Sequence, residues 1–193
     1  KEVRMRAISR RASYSTHRYD LPDMTTSTVD RADAVRDAAK DAFGFVPNLI
    51  DELASENPAV AETYLKANGH LSNGVLSPAE QQLVILTISG YNDCHYCTKA
   101  HGAAGAQAGL DAGVIEELVD GGLPSDGRQR LLARATKRLL GKRGWLSDED
   151  RAEFEEAGLT TAELYEIVGL IGVKTISNYV NHLAGTPVDP QFQ

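Results

Sequence analysis

Residues 77–93 read Ser77-Pro78-Ala79-Glu80-Gln81-Gln82-Leu83-Val84-Ile85-Leu86-Thr87-Ile88-Ser89-Gly90-Tyr91-Asn92-Asp93. The run from Leu83 to Ile88 decides the fold class. Alone it is β-branched and apolar on every side, a pattern that suits a buried strand as well as a buried helix. What stands before it tips the balance. Ser77 can cap a helix, Pro78 suits the first helical position and Glu80 completes a capping box. About fourteen residues then pass before the break at Asn92-Asp93, a helical length. A helix that is apolar all round needs cover on all sides, from its own domain or from another subunit.

The flanking segments carry helical signals too. Asp30 is a candidate cap for a helix reaching about Phe43, and Gly44 and Pro47 punctuate the turn that follows. Asn57-Pro58 opens a helix that Asn73-Gly74 closes. Residues 94–110 are rich in alanine, and residues 111–120 and 125–140 form short amphipathic segments. From Thr160 to about Leu183, two apolar stripes recur at helical spacing, which predicts a helix covered on two sides. No segment alternates with period two, so the fold class is all-α. Trp145, between Gly144 and Leu146, reads as a loop anchor.

Size and charge bound the function. At 193 residues the expectation is one domain, over residues 25–193. Residues 1–24 hold six basic and three acidic side chains and no helical stripe, and read as a flexible arm. Net charge is −7, which argues against a nucleic-acid partner. No apolar run is long enough to span a membrane.

The chain has two cysteines, and they stand in one motif: Asp93-Cys94-His95-Tyr96-Cys97-Thr98-Lys99-Ala100-His101. On a helix Cys94, Cys97 and His101 fall within about 60° of one another, so two thiols and an imidazole share a stripe. Three chemistries use such a stripe. In redox catalysis a thiolate attacks a peroxide, becomes a sulfenic acid and condenses with the second thiol. A helix start favours thiolate, and His101 can move the proton. Zinc could take Cys94, Cys97 and His101, with a fourth ligand from His70, His95, His182 or a carboxylate, but no second ligand pair supplies it cleanly. Haem attachment needs His directly after the second cysteine, where Thr98 stands. Two buried thiols acting as small apolar residues are the plain structural alternative. Redox use is the favoured reading, with no metal or cofactor.

The stretch from Leu76 through Cys94-His95-Tyr96-Cys97 to His101 resembles the core of the alkylhydroperoxidase D-like, or carboxymuconolactone decarboxylase, family. Phe43-Gly44-Phe45-Val46-Pro47-Asn48-Leu49 and residues 178–183 resemble its peroxidase-related branch. The resemblance implies an AhpD-like helical bundle with the CxxC motif at the start of a buried helix. It implies an antioxidant thiol peroxidase acting on organic hydroperoxides, recharged by an external dithiol and assembled as a homo-oligomer (dimer, trimer or hexamer). It carries the peroxidatic role to Cys97 and the resolving role to Cys94; the helix terminus alone would favour Cys94 as the more acidic thiol. The other half of the family implies a lyase acting on a lactone or β-keto acid, and a non-enzymatic redox or zinc module is a further alternative. Free thiols imply a reducing compartment, the cytoplasm.

Two positions depart from the family: His95 stands one place before the histidine of some members, and the second lies in the relay. Gln82 stands where the family's proton relay has Glu, and an amide cannot accept a proton. Glu80 lies about 200° further round the helix and is better explained by the capping box. His182 stands beside the main apolar stripe of the last helix and could line the site but suits a core hydrogen bond, Asn178 and Asn181 suit backbone or subunit contacts rather than substrate, and Tyr96 suits packing.

Overall fold

The computed structural model describes residues 27–125 and 127–193; the arm expected over residues 1–24 lies outside them. The run from Leu83 to Ile88 is helical, within α4 (Pro78–Tyr91). Its capping box is present: Ser77 N donates to Glu80 Oε2 at 2.9 Å and Glu80 N to Ser77 Oγ at 3.3 Å. Leu83, Val84, Leu86 and Ile88 have no exposed surface. Each such side chain stabilises the fold by about 1.5–3 kcal/mol. The cover comes from this chain: α4 packs against α5 (His95–Gln107), α6 (Ala112–Val119), α7 (Gly127–Lys142) and α9 (Thr161–Ala184). At Gly90 a side chain would meet the Leu118 carbonyl at 2.2 Å, so this glycine permits the close approach of α6.

A second core joins α1 (Thr28–Phe43), α2 (Asn48–Glu56) and α3 (Pro58–Leu71) to the first turn of α5. Helix α9 serves both cores, through Ile167 and Leu170 in one and Val173 in the other. The cysteines therefore sit where α9 passes between α4, α5 and the N-terminal helices.

The structure corrects several expectations. The cap of α1 is Ser27, not Asp30; Asp30 is the third residue of that capping box. Helices α2 and α8 (Asp148–Glu156) were not among the expected elements; α2 presents Leu49, Ile50, Leu53 and Ala54 as a short apolar face, whereas α8 buries only Asp150 and Phe154. Trp145 is 84% exposed and anchors nothing. The outer face of α9 is uncovered in the monomer, with Tyr165, Val168, Tyr179 and Leu183 all exposed. Among the described residues all regular elements are helical, and no helix is long and apolar enough to cross a membrane.

Candidate active site

The turn between α4 and α5 sets the motif. Asp93 adopts the left-handed conformation, with φ of 54°, which Asp tolerates better than most residues. Cys94 N then donates to Ser89 O at 2.9 Å, closing α4. Cys94 becomes the N-cap of α5, and Cys97 follows three residues later, inside the first turn. Asn92 ties this turn to α9, its Nδ2 donating to Asn178 Oδ1 at 2.8 Å.

The far side of the first turn is held by Tyr96. Its ring is buried edge-on to Phe192, with centroids 6.1 Å apart. Its hydroxyl donates to Asp189 Oδ2 at 2.5 Å, and Asp189 also accepts from Asn48 N at 3.1 Å. The C-terminal segment thereby straps α2 to α5. Burial and the adjacent Asp189 carboxylate both push the Tyr96 phenol well above its ordinary range.

Both cysteines are free thiols and both are buried. Their surroundings are polar. Asn181 Nδ2 donates to Cys97 Sγ at 3.2 Å and reaches Cys94 Sγ at 3.9 Å. Ser177 Oγ lies 4.0 Å from Cys97 Sγ. The two thiols differ sharply. Cys97 is lowered to about 6, first by the Cys94 hydrogen bond, with the Lys174 charge and the Asn181 and Asn178 amides acting the same way against the cost of burial. Cys94 is pushed far above its ordinary range by its bond to the Cys97 sulfur, by burial and by the charge on Cys97. The helix-terminus argument, which favoured Cys94 as the acidic thiol, is outweighed by these side-chain donors.

His101 sits one turn beyond Cys97, and both its ring nitrogens are engaged. Nδ1 lies 2.9 Å from Gln82 Oε1, and Nε2 lies 3.0 Å from Lys174 Nζ. Lys174 can only donate, so Nε2 must carry the lone pair and Nδ1 the proton. That proton is donated to the amide oxygen of Gln82. Desolvation, then the adjacent Lys174 charge, holds His101 well below its ordinary pKa, so the imidazole is neutral.

The structure thus brings Cys94, Cys97, His101 and Gln82 together. It leaves Glu80 out. Glu80 is occupied by the Ser77 cap and by Arg128 Nε at 2.8 Å. Burial works against its charge, but Arg128 and Ser77 outweigh it and keep its carboxyl below the ordinary range. His182 is exposed and stacks on Tyr179 rather than lining the site. Among the described residues no group of three or more His, Cys, Asp and Glu side chains is arranged to hold a metal.

Sequence reasoning missed Lys174 and Tyr64. Lys174 Nζ donates to Tyr64 Oη at 3.0 Å, on α3. The available signal was a lone cation amid the apolar stripes of α9, flanked by Val173 and Ile176.

The geometry can be set beside known proteins. A family model described as "Carboxymuconolactone decarboxylase family" matches residues 58–138. No curated protein matches the sequence. A peroxidase-related protein from Silicibacter sp. TM1040 shares the fold with TM-score 0.73 and 23% identity, over 90% of this chain and 92% of that one. A protein described as an alkylhydroperoxidase AhpD core from Ralstonia eutropha JMP134 gives TM-score 0.74 and 22% identity, over 86% and 91%. The debrominase Bmp8 gives TM-score 0.61 and 14% identity, over 84% and 88%. The chain has the AhpD-like all-helical fold, and its residues 58–138 match the model of the carboxymuconolactone decarboxylase family.

Proposed function

We propose that the protein is a thiol-dependent peroxidase that reduces organic hydroperoxides through Cys97 and Cys94. The observation that carries this reading is the asymmetry of the pair. Asn181 Nδ2 donates to Cys97 Sγ at 3.2 Å but lies 3.9 Å from Cys94 Sγ, and the surroundings hold Cys97 below the ordinary thiol range and Cys94 above it. A depressed thiol supplies the attacking thiolate, and Cys94 keeps a proton that leaves with the hydroxide when its sulfur resolves the sulfenic acid.

The steps balance as follows. The Cys97 thiolate attacks the distal oxygen of ROOH; the S–O bond forms and the O–O bond breaks. Cys97 becomes a sulfenic acid, and the departing RO⁻ takes one proton through the hydrogen-bonded groups around His101. The Cys94 sulfur then attacks the sulfenic sulfur, the S–S bond forms, and hydroxide leaves as water with the Cys94 proton. An external dithiol returns the pair to its reduced state. His101 lies one turn from Cys97, and its neutral form, fixed by Gln82, suits proton movement rather than permanent charge.

The working form in this reading is a homo-oligomer. The exposed apolar side chains Tyr165, Val168, Tyr179 and Leu183 run along one face of α9 and supply a contact surface. The zinc alternative is disfavoured because both nitrogens of His101 are taken by Gln82 and Lys174. No specific observation favours the lyase.

The test is consumption of tert-butyl hydroperoxide by the protein with dithiothreitol as reductant, in wild type and Cys97→Ser. The reading requires activity in the first and none in the second. Full activity in Cys97→Ser would refute it.

A further inference from the structure

Lys174 has no exposed surface, and it stands in the middle of α9. Its two hydrogen-bond partners are a phenol and an imidazole, each at 3.0 Å. Neither is an anion. Its ammonium also lies 5.2 Å from the centroid of the Tyr64 ring, a contact that offsets only part of the cost of burial. Among the described residues no ion pair includes Lys174. The buried carboxylates nearby in sequence or space are committed elsewhere. Glu166, two turns earlier on α9, accepts from Leu76 N at 3.1 Å and from Gln81 Nε2 at 2.8 Å. Asp189 accepts from Tyr96 and Asn48.

A buried charge without a partner costs several kcal/mol. An ammonium has three protons to donate, and two have assigned acceptors. The groups around it that can ionise are Cys97, Cys94 and His101 on α5, Tyr64 on α3 and the Tyr96–Asp189 pair beyond the motif. His101 is neutral, Tyr96 and Cys94 are held in their protonated forms, and the Asp189 charge is satisfied by its own donors. Cys97 is the remaining source of a negative charge for Lys174. Lys174 shares one face of α9 with Ser177 and Asn181, three and seven residues later, whose side chains lie 4.0 and 3.2 Å from the Cys97 sulfur.

We infer that Lys174 and Cys97 form a buried ammonium–thiolate pair in the reduced protein, with His101 and Tyr64 positioning the ammonium. This rests on the peroxidase reading for its purpose but not for its test. Gln82 acquires a definite task. Its amide oxygen fixes the His101 tautomer whose lone pair faces Lys174, and it adds no negative charge to compete with the thiolate. The site stabilises its nucleophile with a buried cation on the face of α9 whose Ser177 and Asn181 side chains reach the sulfur. Lys174 is thus a positioning residue, acting on Cys97 by charge. The pair also favours the reduced form, because the disulfide removes the anion and leaves the ammonium without one.

The experiment follows the far-ultraviolet thiolate absorbance of the reduced protein against pH, without peroxide, in wild type, Lys174→Met, Lys174→Arg and Gln82→Glu. Loss of the cation in Lys174→Met moves the Cys97 midpoint up, from about 6 toward the ordinary thiol value. A rise of about one to two pH units lowers the thiolate fraction at neutral pH about two- to tenfold. Lys174→Arg keeps the charge and stays near wild type. Gln82→Glu offers the ammonium a rival anion through His101 and raises the midpoint without removing Lys174, which keeps the test available if Lys174→Met does not fold. In dithiothreitol equilibration, the Lys174→Met disulfide is the harder to reduce. A folded Lys174→Met, or Gln82→Glu if that alone folds, with the wild-type midpoint overturns the pair. A shifted midpoint in a protein that consumes no hydroperoxide would sink the peroxidase reading and leave the pair standing.

Discussion

Asn181→Leu separates the chemistry of the site from its stability. Asn181 is 5% exposed, and its Nδ2 donates to Cys97 Sγ at 3.2 Å. Its Oδ1 is buried with no hydrogen-bond partner. The two ends of one amide therefore work in opposite directions. A hydrogen bond to a charged acceptor contributes about 1.5–3 kcal/mol, and an orphaned buried acceptor costs about 1–3 kcal/mol. Leucine has nearly the same shape and removes both. The stability terms offset each other, so the melting temperature changes little. The thiolate loses its donor outright. At about 1.4 kcal/mol per pH unit, the loss raises the Cys97 midpoint by about one to two pH units. It starts from about 6, so at neutral pH the thiolate becomes the minor form. The assay is the rate of iodoacetamide alkylation of reduced protein as a function of pH, with peptide mapping to assign the modified cysteine. An unchanged midpoint in a folded Asn181→Leu protein would refute the reasoning, because the 3.2 Å contact would then contribute nothing to the anion.

Stability should also depend on pH through the cysteines, and the sign follows from the two directions. Cys97 is lowered in the folded state, so its contribution is present above the ordinary thiol pKa and is lost as pH falls toward about 6. Cys94 is raised, so above the ordinary thiol value the folded state retains a proton that the unfolded state has lost, and stability falls again. Urea unfolding of reduced protein should therefore peak near pH ~8.5, and the rise below the peak should flatten in Cys97→Ser. Glu166→Ala leaves the Val75 and Leu76 amides without their acceptor, removes one of the two acceptors of Gln81 Nε2 and should cost about 2–4 kcal/mol in the same assay. Gly74→Ala should cost stability through the same carboxylate, since an added Cβ would lie 2.3 Å from it. Leu183 is 90% exposed on the outer face of α9, so Leu183→Glu should leave the fold intact and lower the mass measured by light scattering; an unchanged mass above that of the monomer would place the subunit contact elsewhere.

How much of this could be read from the chain varied with distance along it. The capping box at Ser77 and Glu80 is local, and it was enough to decide a helix where Leu83–Ile88 alone was ambiguous. The stripe of Cys94, Cys97 and His101 was legible for the same reason, because all three lie on one helix. At α1 the capping pattern was read one turn late: Asp30 is a good cap residue, but Ser27 can form the reciprocal pair with it. Helix α8 buries a single apolar side chain, Phe154, so no stripe marks it, whereas the short apolar face of α2 (Leu49, Ile50, Leu53 and Ala54) was present in the sequence. The other half of the site was hidden because it is non-local. His101 and Lys174 are 73 residues apart, and Lys174 and Tyr64 are 110 apart. Only the misfit of a cation among apolar neighbours marked Lys174. The outer face of α9 shows the limit of periodicity, which locates apolar faces but does not say what covers them.

The central claim is that Cys97 is a thiolate nucleophile and Cys94 its resolving partner. The most direct measurement is a single-turnover titration of reduced protein with tert-butyl hydroperoxide, followed by mass spectrometry. The account predicts one equivalent of hydroperoxide consumed per chain and an intramolecular Cys94–Cys97 disulfide. In Cys94→Ser it predicts one equivalent consumed and a sulfenic acid trapped at Cys97. Oxidation at Cys94 with Cys97 untouched, or no consumption by fully reduced folded protein, would contradict it.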